Sequence, residues 1–261
     1  MCWDEMVDDV RTVFAKHAKC YRTSPEYIDR EALSGLVYMA NPGPQSLVLD
    51  VATGTGHTAL SFAPFVRQVV GIDITPEMLS EAMVLTRHDL VHNLDLCMAD
   101  VMAMPFPDST FDLVSCRQAA HHFPDISGAM KEMVRVLKPG GILAIDDRSV
   151  PEDPEVVEAM NRLDLLRDHS HVRMYRPKEW NDMVSAAGLE PRQMRTYMRN
   201  LPLLRMTATV DGPEAEKVVR TVGELDEAMK VKFGYRTVSG EVHINHWFVM
   251  LTAVKPVTPS S

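Results

Sequence analysis

The spacing of the hydrophobic residues changes near residue 45. Before that point the apolar residues recur at helical spacing. This predicts an amphipathic helix over about 4–20 and a second helix that begins near Ser24-Pro25 and ends before 41–44. From residue 46 onward, short apolar runs alternate with helical patterns. The change of period predicts a helical N-terminal segment followed by strands and helices that build a sheet.

The region 46–150 contains apolar runs short enough for buried strands, and helical segments separate them. This order is typical of a parallel sheet with helices on both faces. Beyond residue 150 the pattern predicts further helices, a sixth strand and a last strand. The predicted strands span 47–51, 68–73, 94–99, 111–116, 142–146, 189–198 and 241–254, and the predicted helices after residue 46 span 58–66, 75–88, 127–137, 154–167, 176–187 and 212–232.

The charge and composition narrow the class of protein. The formal net charge is -9, which disfavours nucleic acid as a partner because phosphate binding needs a basic face. No run approaches the ~20 apolar residues of a membrane helix, and the acidic N-terminus lacks the apolar core of a signal peptide. Four scattered cysteines favour reduced thiols. We therefore expect a cytoplasmic protein without a membrane span.

The stretch 46–59 carries the main chemical signal. An apolar run ends at Asp50, and Gly54 and Gly56 follow before a helical pattern begins. A buried strand, a glycine turn and a helix N-terminus commonly hold a nucleotide-like cofactor. The spacing fits the dinucleotide fingerprint, but the same turn serves other adenosine cofactors. Asp73, at the end of the second predicted strand, is placed to accept hydrogen bonds from ribose hydroxyls.

Three hypotheses compete for this turn. An NAD-linked oxidoreductase is one, although a carboxylate at Asp50 would repel a diphosphate and no Tyr-x-x-x-Lys pair is present. S-adenosylmethionine is the second, because it offers an ammonium to Asp50, ribose hydroxyls to Asp73 and an adenine amino group to Asp100. The third is a non-catalytic protein that binds the cofactor on the same scaffold.

Four motifs stand in an order that resembles class I S-adenosylmethionine-dependent methyltransferases: LDVATGTG, VVGID, AD followed by MPFPDSTFDLV, and VLKPGG. The resemblance covers about 45–150. The chain also resembles a subgroup akin to the ubiquinone/menaquinone C-methyltransferases, in CRQAAHHFPD and in the segments up to about 190. Ala52 replaces the first glycine of the usual motif, as it often does in the quinone enzymes.

The resemblance implies a Rossmann-like, doubly wound α/β sheet of seven strands in the order 3-2-1-4-5-7-6, with the last strand antiparallel, and a helical lid. It implies a single domain over 1–261. Within that domain, the lid is 1–45, the cofactor-binding core is 46–150, and the substrate-side insertions are 151–177 and 200–240. The last strand is 241–254.

The resemblance also implies which residues bind the cofactor. Asp50 would lie at the methionine end, Asp73 at the ribose, and Asp100 at the adenine, while 117–123 would lie beside the reactive methyl group. The full implied set is Asp50, Ala52, Thr53, Gly54, Gly56, Asp73, Ile74, Met78, Asp100, Val101 and Arg117.

His121 and His122 are the candidate catalytic residues, since a neutral imidazole can take a proton from a hydroxyl or an enol carbon. The alternative is that they only line the pocket. No metal site is predicted, because adjacent histidines rarely bind one metal. Aromatic residues outside the core favour a small, largely apolar or aromatic acceptor. A homodimer is one assembly open to the chain.

Overall fold

Eight strands form one sheet. Seven of them follow the order β3-β2-β1-β4-β5-β8-β6, and the eighth, β7, pairs with the first residues of β8. The computed structural model describes residues 3–25, 27–207 and 212–257, so parts of the predicted lid and of the insertion 200–240 lie outside the described residues. The strands are β1 (Leu47–Val51), β2 (Gln68–Asp73), β3 (Leu94–Met98), β4 (Phe111–Arg117), β5 (Leu137–Ser149), β6 (Glu190–Pro202), β7 (Arg236–Val238) and β8 (Glu241–Val254).

The helices flank this sheet and extend beyond its carboxyl edge. Short 3₁₀ turns at Ala63–Phe65, Ala120–His122 and Leu203–Arg205 supplement them. The α-helices are α1 (Trp3–Thr23), α2 (Arg30–Ala40), α3 (His57–Phe62), α4 (Pro76–His88), α5 (Ile126–Val136), α6 (Pro154–Arg167), α7 (Pro177–Ala186), α8 (Gly212–Gly223) and α9 (Glu227–Lys232).

The strand order confirms the predicted topology. The first five strands pair in parallel, and β8 pairs antiparallel with both β5 and β6, as the last predicted strand should. The short strand β7 is an addition to the predicted strands. It forms a hairpin with β8 through Ser239 and Gly240, both with positive φ, which is the backbone of a two-residue hairpin turn.

Each face of the sheet buries a separate apolar layer. On one face, Phe111, Met133 and Trp180 belong to a fully buried cluster that includes α5 and α7. On the other face, Leu36 and Phe62 bring α2 and α3 against the central strands. Burial on both faces explains why β1, with the sequence LVLDV, is almost continuously apolar.

Two helix predictions were wrong at their boundaries. The second helix begins at Arg30 rather than at Ser24-Pro25, because the Asp29 side chain accepts hydrogen bonds from two backbone N–H groups of the first turn, each at 3.1 Å. The segment 212–232 is two helices instead of one. Asp226 caps the second of them by accepting from the Met229 N–H at 2.8 Å.

Helix α1 lies over the carboxyl ends of the central strands. Ala18 and Tyr21 pack against Met78 of α4. Arg22 is tied to the core twice, by an ion pair with Glu81 at 3.2 Å and by its carbonyl, 3.0 Å from Nε2 of His57. Along the described part of the chain, no helix combines the length and apolar character needed to cross a membrane.

Candidate cofactor pocket and active site

A deep pocket opens at the carboxyl ends of β1 to β4, under α1. It holds about 1100 Å³ of space, its open mouth included. In open α/β sheets this edge is where ligands bind. Its walls are Val10, Phe14, Tyr21, Tyr27, Ala52, Thr53, Gly54, Thr55, His57, Thr58, Ile72, Asp73, Ile74, Thr75, Met78, Ala99, Asp100, Val101, Met102, Arg117, Gln118, Ala119, His122, Phe123 and Pro124.

The turn between β1 and α3 uses its two glycines differently. Both have positive φ, +54° at Gly54 and +87° at Gly56. A Cβ on Gly54 would meet no atom within 4 Å, so this backbone faces open space in the pocket wall. A Cβ on Gly56 would come within 3.1 Å of the Ala82 side chain, so this glycine lets α4 pack closely. Gly56 does not line the pocket.

Ala52 has a φ of +50°, in the left-handed region that glycine usually occupies. A non-glycine residue there costs about 1–2 kcal/mol. The alanine therefore keeps the backbone path of the glycine motif at some cost in stability. Its neighbour Thr53 contributes to the pocket wall and donates its hydroxyl to Asp50 at 2.6 Å.

Asp73 holds the glycine turn from the end of β2. Its Oδ2 accepts from the Gly54 N–H at 2.8 Å, and its Oδ1 accepts from the Thr75 N–H at 2.9 Å. Thr75 occupies the N-cap position of α4 without a side-chain capping bond. A carboxylate has about four acceptor positions, so Asp73 can accept further hydrogen bonds from a pocket ligand. Burial raises the pKa of Asp73.

Asp50 lies behind the pocket wall rather than in it. Only 1% of the residue is exposed, and its two oxygens accept from the hydroxyls of Thr53, at 2.6 Å, and Ser115, at 2.7 Å. Burial raises the pKa of Asp50 to about 6 although these hydrogen bonds favour the charged form. The carboxylate thus contributes negative charge to this end of the pocket through the Thr53 hydroxyl.

The loop after β3 supplies another wall of the pocket. Asp100 and Val101 both line it, and Oδ1 of Asp100 accepts from the Met102 N–H at 2.8 Å. Ile74 and Met78 face the same space from the end of β2 and from α4. These residues form a mostly apolar part of the pocket wall that includes one carboxylate.

Arg117 enters the pocket at the end of β4. Its Nε donates to Asp146 at 3.1 Å, with both side chains buried, and its Nη1 donates to the Tyr27 carbonyl at 3.3 Å. The Tyr197 hydroxyl donates to the other oxygen of Asp146 at 2.8 Å. Burial raises the pKa of Asp146 to about 6, against the attraction of Arg117. The pair places a largely compensated cation in the pocket wall.

The two candidate histidines occupy different positions. His122 lines the pocket, whereas His121 lies behind it. Nδ1 of His121 lies 2.6 Å from Oδ1 of Asp147, whose other oxygen accepts the His121 backbone N–H at 3.1 Å. The centroids of the two imidazole rings are 4.1 Å apart, and the centroid of the Phe14 ring of α1 lies 5.1 Å from that of His122, with the two ring planes nearly perpendicular. Burial lowers the pKa of His121 to about 3 and that of His122 to about 4, so both are neutral at physiological pH.

The structure adds polar residues that the sequence analysis did not select. His57, Thr75 and Gln118 line the pocket, and Ser170 lies on the far side of His122. Asp168-His169-Ser170 is a pattern that favours a side-chain-capped turn, and the Asp168 carboxylate indeed accepts from the Ser170 N–H at 3.0 Å. No group of three or more His, Cys, Asp or Glu side chains is placed to hold a metal ion among the residues that the structure describes.

Comparison with known proteins agrees with this architecture. A family model described as a methyltransferase domain matches residues 49–145. The uncharacterized methyltransferase YcgJ of Bacillus subtilis is 38% identical over 192 residues, which cover 74% of this chain and 75% of that protein. The chain belongs to the methyltransferase family.

Further matches place this methyltransferase among its relatives. The crystal structure of YcgJ superposes with a TM-score of 0.82 at 28% identity and covers 87% of this chain and 99% of that one. The 2-methyl-6-phytyl-1,4-hydroquinone methyltransferase of Synechocystis is 34% identical over 62% of this chain and 52% of its own length. The [4+2]-cyclase SpnF shares the fold at 21% identity, with a TM-score of 0.62 over 87% of this chain and 82% of that one.

Proposed function

We propose that this methyltransferase uses S-adenosylmethionine and transfers its methyl group to a small, largely apolar or aromatic acceptor. The observation that carries the proposal is the charge of the pocket. Asp73 and Asp100 line it at the ends of β2 and β3. Asp50 lies behind the turn after β1, where it accepts a hydrogen bond from the Thr53 hydroxyl. Three carboxylates along one edge attract a cationic ligand and repel a diphosphate.

The residues present fit this cofactor. The open side of Gly54 leaves room for a ligand against the backbone, and Asp73 retains acceptor capacity for ribose hydroxyls. Asp100 with Ile74 and Val101 suits an adenine ring whose amino group meets a carboxylate. When bound, S-adenosylmethionine supplies an activated methyl group on a sulfonium. The protein then has to orient the acceptor and exclude water.

The acceptor half of the pocket is mainly apolar. The ring centroids of Phe14 and Tyr21 are 5.4 Å apart, and those of Tyr21 and Tyr27 are 4.7 Å apart. Phe123 and Pro124 also line the pocket. Such a lining favours an aromatic or aliphatic molecule over a charged one. The name of the Synechocystis relative gives an aromatic hydroquinone as its acceptor, and an acceptor of that general kind fits the apolar half of this pocket.

Two alternatives require a direct test. An NAD-linked oxidoreductase would use the same glycine turn, and a non-catalytic protein would bind the cofactor without turnover. The shared fold of the cyclase SpnF illustrates that a scaffold does not by itself fix a reaction.

Isothermal titration calorimetry with S-adenosylhomocysteine and with NAD separates these hypotheses. We expect saturable binding of S-adenosylhomocysteine, together with a rise in melting temperature, and no effect of NAD. Transfer of a labelled methyl group to members of a panel of phenols, quinols and amines then distinguishes an enzyme from a binding protein. Binding of NAD but not of S-adenosylhomocysteine would refute the proposal.

A further inference from the structure

His122 belongs to a chain of hydrogen bonds that fixes where its proton lies. Oγ of Ser170 is 2.5 Å from Oδ1 of Asp168 and 3.0 Å from Nδ1 of His122. The carboxylate can only accept, so the Ser170 hydroxyl donates to it and must accept from Nδ1–H. The Ser170 carbonyl, 3.2 Å from Nδ1, also requires a donor there. The proton therefore sits on Nδ1, and Nε2 carries the lone pair.

The lone pair on Nε2 is available to a pocket ligand. No hydrogen bond occupies this atom among the residues that the structure describes, and His122 is part of the pocket wall. The ring packs against the rings of Phe14 and His121. Asp168 and Ser170 are 7% and 5% exposed, so the hydrogen-bond chain is shielded from water.

The surrounding loop is anchored independently of any ligand. The His121 carbonyl accepts from the N–H groups of Val172 and Arg173 at 2.9 and 3.1 Å, which ties the loop after α6 to the 3₁₀ turn that carries both histidines. His121 itself is bonded to Asp147 and does not reach the pocket wall. The two histidines therefore have separate tasks, since only His122 presents a nitrogen to the pocket.

We infer that Nε2 of His122 is the proton acceptor for an acceptor molecule that bears a phenolic or enolic hydroxyl, and that Ser170 and Asp168 are its positioning residues. This inference rests on the proposed function, because it assigns the chemistry of the acceptor half of the same pocket. It selects hydroxyl-bearing acceptors over amines, which can react through a free lone pair without a base.

Methylation at oxygen and methylation at carbon can both use this base. The acceptor oxygen forms a bond to the methyl carbon, the bond from that carbon to sulfur breaks, and its electron pair stays on sulfur. The hydroxyl proton passes to Nε2 of His122, which becomes an imidazolium beside the Asp168 carboxylate. Release of this proton to solvent restores the neutral ring. For methylation at carbon, the same proton leaves the hydroxyl while the ring or enol carbon forms the new bond.

The basicity of His122 is sufficient for this role. Burial and the neighbouring His121 lower the pKa of His122 to about 4, which keeps the imidazole unprotonated at neutral pH. A hydroxyl oxygen becomes strongly acidic as it gains the methyl group, so a weak base that is already in place can take the proton during the transfer.

Two variants and a control test the inference. In H122N the side chain can still donate to Ser170 but is no longer a base. In D168N the carboxylate is lost, so the Ser170 hydroxyl is free to turn toward Nδ1 and favour the wrong tautomer. H88Q removes a histidine whose side chain is 81% exposed at the end of α4, and serves as the control.

The readouts are three. Calorimetry with S-adenosylhomocysteine reports the cofactor site, ¹⁵N NMR of the imidazoles reports the tautomer, and methyl transfer is measured to substituted phenols and 1,3-diketones, with amines as counter-probes. We expect wild-type His122 to carry its proton on Nδ1, and D168N to increase the Nε2–H tautomer. H122N should lower kcat by about 100-fold or more while it binds S-adenosylhomocysteine like H88Q. Phenols that are already ionised at the assay pH should lose the least.

Each contrary result has a defined meaning. The inference fails if wild-type His122 carries its proton on Nε2, if H122N retains most of kcat, or if amines are the only acceptors methylated. It also fails if the wild-type protein methylates no hydroxyl compound in the panel. In all four cases, binding of S-adenosylhomocysteine would leave the proposed cofactor intact. Absence of that binding would refute the proposed function itself.

Discussion

Replacing Asp73 with asparagine tests the cofactor site at the residue that links the glycine turn to the ligand space. In the native protein the carboxylate accepts from the Gly54 and Thr75 N–H groups. Asparagine offers one oxygen and one NH₂ group, so it keeps one of these bonds and places a donor against the other N–H. Each bond to a charged acceptor is worth about 1.5–3 kcal/mol.

The expected stability loss is smaller than the sum of those bonds. One of the two survives, and burial already disfavours the ionised form of Asp73, as its raised pKa shows. We therefore expect D73N to lower the free energy of unfolding by about 1–2 kcal/mol. Loss of a charged acceptor for ribose hydroxyls should weaken S-adenosylhomocysteine binding by about 10- to 100-fold, or about 1.5–3 kcal/mol.

A matched control separates the two effects. Asp112 also accepts a backbone N–H of β1, that of Leu47 at 2.8 Å, but it lies at the opposite end of the strands, where Lys138 pairs with it at 2.7 Å. D112N should lose stability without loss of affinity. Urea denaturation and calorimetry measure both quantities. If D73N and D112N bind S-adenosylhomocysteine within about twofold of each other, Asp73 does not contact the ligand.

Three further predictions concern the glycine turn, one buried ion pair and Phe14 of α1. G54A and G188A both place a side chain at positive φ with open space around it, so each should lose about 1–2 kcal/mol of stability; only G54A should weaken S-adenosylhomocysteine binding, and equal affinities would contradict the assigned role of Gly54. D164N leaves the buried guanidinium of Arg148 uncompensated, and urea denaturation should show a loss of about 3–5 kcal/mol; a loss below about 1 kcal/mol would argue against a buried charge there. F14A should raise the KM for an acceptor phenol more than the Kd for S-adenosylhomocysteine, and the reverse ratio would place Phe14 at the cofactor.

The central part of the fold could be predicted because contiguous residues determine it. The apolar run of β1, the glycines that follow and the acid that ends β2 are all readable along the chain, and their positions in the sheet follow from parallel topology. Helix boundaries were harder to predict where two residues in the sequence both favoured a helix start. Ser24-Pro25 looks like a helix start, but the capping carboxylate of Asp29 determines where α2 begins.

The roles of the polar site residues depended on contacts that the sequence does not display. His121 and His122 are neighbours in sequence, yet their partners are Asp147, 26 residues away, and Ser170, 48 residues away. In the sequence alone, nothing distinguishes the two histidines. Only the folded chain shows that one ring faces the pocket and the other is bonded behind it. Likewise, Asp50 was expected beside the ligand, but hydroxyls of Thr53 and Ser115 enclose its carboxylate.

The two halves of the pocket thus differ in how they are built, and this difference has a consequence for function. The proposed cofactor half is formed by backbone and by carboxylates at consecutive strand ends, so few substitutions there preserve the turn. The acceptor half is assembled from α1, the segment at Tyr27, and the 3₁₀ turn at Ala120–His122 with the residues that follow it, which are distant in sequence. Side chains such as Phe14 and Tyr27 can change without disturbing Asp73 or Gly54. Acceptor choice can therefore diverge among relatives while the cofactor half stays the same. The choice of acceptor therefore depends on the side chains on the His122 side of the pocket. The glycine motif indicates only the family.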